Sequence, residues 1–191
     1  DGVLFVEEEY LDAVLSAYKG YFLDLGFTMK LEGVAHELEH IDFCQARPVY
    51  DGTGYRMVRD PRICAGKDSL SLRRLTCVDD IVSARNAIGW CGAALAGDMP
   101  VFCRFYRSMI SDVAPEREFT TGMQFLARGM EPRFAEPSPD TRLSFYKAFD
   151  LTPDDQLAIE LEIEMLESRI MTPATRVDFF SNTTFTQLSL E

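Results

Sequence analysis

Residues 26–61 read GFTMKLEGVAHELEHIDFCQARPVYDGTGYRMVRDP, and this stretch decides the fold. Apolar and polar residues alternate over residues 27–31, which predicts a strand with one buried face. Residues 49–51 and 55–58 flank Gly52-Thr53-Gly54, a pattern typical of a hairpin with a glycine-permitted turn. The stretch therefore predicts a strand followed by a hairpin.

The residues before this stretch predict a strand and a helix. Residues 3–6 are an apolar run of strand length, and the three glutamates at 7–9 favour the positive end of a helix. Apolar residues then recur at helical spacing until Gly26, so we expect one face of this helix to pack on a sheet. The predicted order is strand, helix, strand, with Lys30 on the polar face of the second strand.

Helices dominate the predicted structure after residue 61. They are expected near residues 68–75, near 79–96 up to Gly97, from Asp98 with Pro100 in the first turn, over 141–149, and from Thr152 and Pro153 onward. The last helix is predicted to turn Leu157, Leu161 and Met165 inward and Glu160, Glu164 and Glu167 outward. Residues 114–140 are proline-rich and predicted to be irregular, apart from a short helix near 121–128. The fold class is α+β.

Composition excludes several classes of protein. The chain has 191 residues and is 47% apolar, enough for one good core without disulfides. Its five cysteines form no C-x-x-C pair, which argues against a zinc ribbon or a disulfide framework and fits a reducing compartment. The sequence shows no secretion signal and no apolar run of bilayer length. It opens inside a predicted strand without a Met, which we interpret as a piece of a larger polypeptide or assembly.

The net charge of −12 is unevenly distributed. Residues 56–107 carry nine Lys or Arg against five Asp, whereas both flanking regions are strongly acidic. A basic segment in an acidic chain can bind phosphate locally, because clefts focus electrostatic potential. The alternative is an ordinary arginine-rich helical face.

His36-Glu37-Leu38-Glu39-His40 matches H-E-x-x-H, the signature of zinc peptidases. That chemistry needs both histidines on one helical face and a third metal ligand further on. His36 and His40 are the only histidines, and no glutamate follows within seventy residues, so only an aspartate such as Asp51 or Asp60 is left to complete the site. A zinc metallopeptidase is therefore a remote alternative to two surface histidines before a strand.

An ordered set of short motifs resembles the RNA-dependent RNA polymerases of tombusvirus-like plus-strand RNA viruses. Motifs D and E of that family are matched by Gly-Phe-Thr-Met-Lys at 26–30, Glu37-Leu38-Glu39, Phe43-Cys44-Gln45, Pro48-Val49 and Met57-Val58-Arg59-Asp60-Pro61. The thumb of the family is matched by Lys67-Asp68, Gly89-x-x-Gly92, Pro100-Val101, Phe105-Tyr106, Thr141-Arg142-x-Ser144-Phe145, Ala148-Phe149 and Thr152-Pro153-Asp154-x-Gln156. The resemblance covers about residues 1–170.

This resemblance implies roles for individual residues. Asp1 corresponds to the second aspartate of motif C, a ligand of the two catalytic Mg²⁺ or Mn²⁺ ions. Lys30 corresponds to the motif D lysine that protonates the pyrophosphate leaving group, and its alternative is a solvated strand lysine. Cys44 and Gln45 correspond to the motif E turn that supports the 3′ end of the nascent strand, against the alternative of a buried cysteine.

RNA-backbone contacts near the exit are expected from Arg59, Arg62 and Lys67. The resemblance implies that residues 1–61 are the C-terminal part of a polymerase palm and that residues 62–191 are the thumb. The metal-binding Asp-x4-Asp motif, the Ser-Gly motif B and the fingers are absent from these 191 residues, so we expect another segment or a partner polypeptide to supply them.

The predicted function is RNA-directed RNA polymerisation by two-metal phosphoryl transfer, with RNA template, nascent strand and nucleoside triphosphates as partners. The predicted location is a viral replication complex in the host cytoplasm, with membrane association supplied by other components. The alternative is a non-catalytic subunit of a split polymerase that docks and grips RNA, or a remnant that does not polymerise.

Overall fold

The structure of the protein is a computed structural model that describes residues 2–70, 75–111 and 129–170, with side chains up to residue 166. Its elements are α1 (Leu11–Asp24), β1 (Ala46–Tyr50), β2 (Tyr55–Arg59), α2 (Pro61–Asp68), α3 (Val78–Ala96), α4 (Phe102–Phe105), α5 (Pro139–Phe149) and α6 (Pro153–Ile170). Single 3-10 turns lie at Glu8–Tyr10, Leu38–His40 and Arg107–Met109. The predicted mixture of helices and strands is confirmed. Among the described residues, no helix is both long and apolar enough to cross a bilayer.

The predicted hairpin is confirmed. β1 and β2 pair antiparallel from Ala46 opposite Arg59 to Tyr50 opposite Tyr55. The Asp51 carboxylate closes the connecting turn by accepting hydrogen bonds from the backbone of Thr53 and Gly54 at 2.8 and 3.0 Å. Such an Asx turn explains why a short polar side chain precedes the glycine-containing loop.

The strands predicted on either side of α1 are wrong. Residues 3–6 and 27–31 are not strands, and the sheet in the described part of the chain has only β1 and β2. Phe5 is 81% exposed and Phe27 is 61% exposed. A strand is stabilised by hydrogen bonds to a neighbouring strand, and neither run pairs with another strand in the described part of the chain. The helix between them is confirmed as α1, but it has no buried residue, so the predicted packing of one face on a sheet is not observed.

Two helix starts also differ from expectation. Helix α2 begins at Pro61, because the Asp60 carboxylate accepts a hydrogen bond from the Arg62 amide at 2.9 Å and caps the first turn. It ends at Asp68, so the helix predicted near residues 68–75 does not begin there, and residues 71–74 lie outside the described part.

Asp98, the predicted N-cap of the next helix, instead accepts a hydrogen bond from Arg56 Nη2 at 2.7 Å. The chain reverses at Val101, which has φ 68° and ψ −50°, and the Phe102 amide bonds to the Pro100 carbonyl at 2.7 Å. This γ-turn delays the helix to Phe102.

The helices predicted at 79–96, at 141–149 and from Pro153 are confirmed as α3, α5 and α6. The short helix predicted near 121–128 lies outside the described residues. The predicted orientation of helix α6 is wrong for Leu157, Leu161 and Met165, which are 50, 57 and 48% exposed, and for Glu160, which is only 4% exposed. Glu164 is exposed as predicted, and the side chain of Glu167 lies outside the described residues.

One core joins the hairpin to the helices. Its buried members come from both strands, from α2 to α5, and from the turns between them: Val49, Val58, Cys64, Ala93, Ala96, Met99, Phe102, Tyr106, Phe145, Ala148 and Phe149. Helix α3 approaches Tyr106 so closely that a Cβ at Gly92 would lie 2.1 Å from the ring. The core thus fixes the hairpin against α5, and the described residues before β1 contribute no member to it.

Candidate functional site

The turn at Cys44 and Gln45 has an unusual backbone. Phe43 and Ala46 exchange two backbone hydrogen bonds of 2.9 and 3.0 Å across it. Both central residues have positive φ, 53° for Cys44 and 62° for Gln45. Glycine and asparagine normally occupy such a turn, so these two side chains are held at a cost in backbone strain. Both are exposed, and the turn presents them to solvent.

The predicted RNA-binding arginines also make internal contacts. Arg59 Nη2 lies 3.5 Å from Asp68 Oδ1. Arg62 binds the Asp60 carboxylate through Nε at 3.0 Å and Nη2 at 2.9 Å, and its Nη2 also donates to the Phe149 carbonyl at 3.2 Å. Burial raises the pKa of Asp60, but the hydrogen bonds from Arg62 lower it by a larger amount. The net pKa therefore lies below its usual value.

Lys67, the third predicted contact, is exposed near the end of α2 and forms no ion pair with the described residues. It lies on α2, the same helix as Arg62. Of the three predicted basic residues, Lys67 alone keeps its charge unpaired within the described structure.

Other arginines of the basic segment are also paired. Arg56 Nε lies 2.7 Å from Asp51 Oδ2, at an angle outside hydrogen-bonding geometry, and its Nη2 binds Asp98. Burial raises the pKa of Asp51, but hydrogen bonds from Thr53 and Gly54 and the charge of Arg56 bring it down to about 2. Acidic partners inside the segment, such as Asp98, and outside it, such as Asp51, therefore reduce the local positive charge that the sequence indicates.

The structure does not bring Lys30 to the Cys44–Gln45 turn. Lys30 Nζ lies 3.7 Å from Glu32 Oε1, and its side chain is exposed. No hydrogen bond or ion pair among the described residues joins it to the turn. Asp1, the predicted metal ligand, lies outside the described part of the chain.

The H-E-x-x-H segment lacks the geometry that a zinc peptidase needs. The backbone at Glu37 is extended, with φ −121° and ψ 145°, and only Leu38–His40 form a single 3-10 turn. His36 and His40 therefore do not share an α-helical face. His36 lies 3.6 Å from Glu8, and Glu37 lies 3.0 Å from Lys147. No group of three or more His, Cys, Asp or Glu in the described ranges is arranged to hold a metal ion.

The sequence did not predict the tertiary hydrogen bonds of Glu39. Its side chain is buried, and its Oε1 accepts a hydrogen bond from Ser144 Oγ at 2.9 Å and one from Tyr55 Oη at 3.4 Å. Ser144 Oγ in turn accepts a hydrogen bond from the Tyr50 amide at 2.9 Å. The network holds both strands of the hairpin against α5. No local pattern indicates it, because Glu39 and Ser144 are 105 positions apart.

A second buried contact joins α5 to α6. Arg142 binds both oxygens of Glu160, at 2.8 and 2.9 Å. Glu160 Oε1 also accepts a hydrogen bond from the Val101 amide at 2.9 Å, which holds the γ-turn. Burial raises the pKa of Glu160, but the hydrogen bonds from Arg142 and Val101 outweigh it and leave a net pKa below the usual value.

Comparison with known proteins gives matches over most of the chain. The family model described as viral RNA dependent RNA polymerase matches residues 1–170. The RNA-directed RNA polymerase of Tobacco necrosis virus (strain A) is 36% identical over 167 residues, which are 84% of this chain and 23% of that protein. The RNA-directed RNA polymerase of Panicum mosaic virus (strain United States/Kansas 109S) is 35% identical over 187 residues, 91% of this chain and 19% of that protein.

The RNA-directed RNA polymerase of Turnip crinkle virus is 35% identical over 170 residues, covering 84% of this chain and 22% of that protein. No solved structure matches the chain significantly. The chain spans about a fifth to a quarter of the length of these curated relatives.

Proposed function

The chain belongs to the viral RNA-dependent RNA polymerase family, and on that premise we propose that it supplies the C-terminal part of the palm and the thumb of an RNA-directed RNA polymerase. In this proposal, residues 1–61 complete the palm and residues 62–191 form the thumb. The whole enzyme adds nucleotides to a growing RNA strand on an RNA template. The family match over residues 1–170 is the observation that carries the proposal.

The hairpin is the part of the structure that best supports a contact with the nascent strand. The Cys44–Gln45 turn is exposed and strained, while the strand that follows it is packed into the helical core. A strained backbone held by its surroundings is typical of functional sites. Cys44 and Gln45 would support the 3′ end of the nascent strand, and the side chains of Arg59, Arg62 and Lys67 would bind backbone phosphates.

Lys30 is proposed as the general acid of the reaction. In nucleotide addition, the 3′ oxygen bonds to the α-phosphorus and the bond from that phosphorus to the pyrophosphate oxygen breaks. The Lys30 ammonium would give its proton to the departing pyrophosphate. Its exposure leaves it accessible to a triphosphate that another segment positions.

The described residues do not by themselves fit a divalent-ion site, since they contain no group of three or more candidate ligands. The Mg²⁺ or Mn²⁺ ions of the proposed enzyme would supply charge neutralisation at the phosphates. Their ligands would be Asp1 and the aspartates of the segment that carries the Asp-x4-Asp motif. That segment, with the Ser-Gly motif and the fingers, is the proposed protein partner, in a replication complex of the host cytoplasm.

A primer-extension assay tests the proposal. The chain alone, a polypeptide carrying the Asp-x4-Asp and Ser-Gly motifs alone, and both together would each receive a primed RNA template, nucleoside triphosphates and Mg²⁺. We expect extension only when both are present or joined in one polypeptide. RNA binding by the complete assembly without any extension would reject the polymerase and favour a subunit that only grips RNA.

A further inference from the structure

Arg47 connects both sides of the Cys44–Gln45 turn to helix α5. Its Nη1 donates a hydrogen bond to the Ala148 carbonyl at 2.6 Å. Its Nε lies 3.5 Å from Asp42 Oδ2. Asp42 directly precedes the hydrogen-bonded turn and Arg47 directly follows it, so one guanidinium ties the entry of the turn, its exit and the last turn of the helix together.

The contact at Ala148 is well suited to an arginine. The last carbonyls of a helix have no partner within the helix, and they carry its negative partial charge. Arg62, just after the hairpin, makes a similar contact with the end of the helix. Its Nη2 donates a hydrogen bond to the Phe149 carbonyl, and its guanidinium also binds Asp60. Two arginines, one at the start of β1 and one just after β2, therefore converge on the C-terminal end of α5.

The backbone hydrogen bonds of the turn define its shape but not its place in the molecule, because they lie between Phe43 and Ala46. Ala46, at the exit of the turn, is buried, and Val49, further along β1, belongs to the core. Arg47 lies between these two apolar anchors and adds a polar contact that joins the residues beside the turn directly to helix α5.

We propose that Arg47 is a positioning residue that fixes the Cys44–Gln45 turn relative to helix α5, and through the turn the 3′ end of the nascent RNA strand. This inference rests on the function proposed above. Arg47 acts through the turn and need not touch the RNA. The competing role is a direct contact between Arg47 and an RNA phosphate, which its 37% side-chain exposure leaves open.

The two roles predict opposite results for conservative changes. Asp42→Asn weakens the anchor in the positioning role, so nucleotide addition slows. In the phosphate-binding role it removes a nearby negative charge, so RNA binding tightens. Arg47→Lys keeps the charge and therefore keeps a phosphate contact, but a single ammonium cannot reproduce the guanidinium fork that reaches both Asp42 and Ala148.

The experiment uses the complete polymerase that carries this chain, with a primed RNA template. Rates of single-nucleotide addition are measured at saturating primer–template and nucleotide, and primer–template affinity is measured at several salt concentrations. We expect Arg47→Ala and Arg47→Lys each to lower the addition rate by about 10-fold or more, because a small displacement of a reacting group is costly. Asp42→Asn should lower it by about 2- to 3-fold, and the salt dependence of binding should stay that of wild type.

Lys147→Ala is the matched control, because it removes an exposed ion pair from the same helix. It should leave the addition rate unchanged, and melting temperatures identify any variant that fails to fold. A normal rate in Arg47→Ala would overturn the positioning role. So would a salt slope reduced by about 1 in Arg47→Ala together with a normal addition rate in Arg47→Lys. If the wild-type assembly itself adds no nucleotide, the proposed function fails instead, so the two failures are distinguishable.

Discussion

Replacing Glu160 with glutamine should destabilise the chain by about 3–5 kcal/mol, because it leaves a buried guanidinium without its anion. The Arg142 and Glu160 side chains are only 13 and 6% exposed, and both of their hydrogen bonds are shorter than 3 Å. Glutamine keeps an oxygen that can accept from the Val101 amide. The substitution therefore removes the charge while it preserves the contact with the γ-turn.

The double variant Arg142→Met/Glu160→Leu is the matched comparison. An ion pair replaced by apolar side chains of similar size is often close to neutral, so the main remaining loss is the unpaired Val101 amide, about 1–3 kcal/mol. The double variant should therefore be more stable than Glu160→Gln. Urea unfolding followed by far-UV circular dichroism measures both free energies of unfolding.

The same ion pair predicts a pH dependence. Because folding lowers the pKa of Glu160, its stabilising contribution is complete above the unfolded value of about 4.5 and is lost as the pH falls through the folded value. The difference in unfolding free energy between wild type and Glu160→Gln should shrink as the pH is lowered below about 4.5. A loss below about 1 kcal/mol in Glu160→Gln at neutral pH, or a double variant that is no more stable than Glu160→Gln, would contradict this account of the ion pair.

Three other predictions follow from the contacts described above. Ser144→Ala should cost about 1–3 kcal/mol in urea unfolding, because it removes the shorter hydrogen bond to the buried Glu39 carboxylate and the acceptor of the Tyr50 amide. Lys147→Ala should cost less than about 1 kcal/mol, and equal losses would contradict this. Asp51→Asn should lower the free energy of unfolding by about 2 kcal/mol at neutral pH. Wild type loses the same amount as the pH falls from about 4 to about 2, so the two proteins should be equally stable in acid. In the complete polymerase, Lys30→Met should slow single-nucleotide addition about 100-fold while the matched surface variant Lys19→Met does not, and equal rates in a quench-flow assay would reject Lys30 as the acid.

Local chemistry accounts for the elements that were predicted correctly. The hairpin turn depends on Asp51 and the glycines beside it, and the start of α6 depends on Thr152, whose side chain accepts from the Asp155 amide at 3.2 Å. These partners lie within three residues of each other. A sequence pattern can predict such contacts because neighbouring residues meet whatever the tertiary fold is.

Contacts between residues close in sequence do not determine whether the strands predicted beside α1 form. An alternating pattern shows that a segment is suited to a sheet, but the strand forms only where a neighbour offers hydrogen bonds. The hairpin has such a neighbour within its own sequence. Residues 3–6 and 27–31 pair with no strand in the described structure, and they are largely exposed.

Local sequence is sufficient to predict the hairpin, the helix starts that depend on local caps, and the set of motifs that identifies the family. The buried face of α6 depends instead on contacts with other elements. Glu160 lies inside because Arg142, 18 positions away, pairs with it, while the leucines beside it face outward. The same holds for Arg47, whose acceptor at Ala148 is 101 positions away. Contacts over such separations depend on how the elements pack. The periodicity of residues within one element does not indicate which residue of another element it will contact.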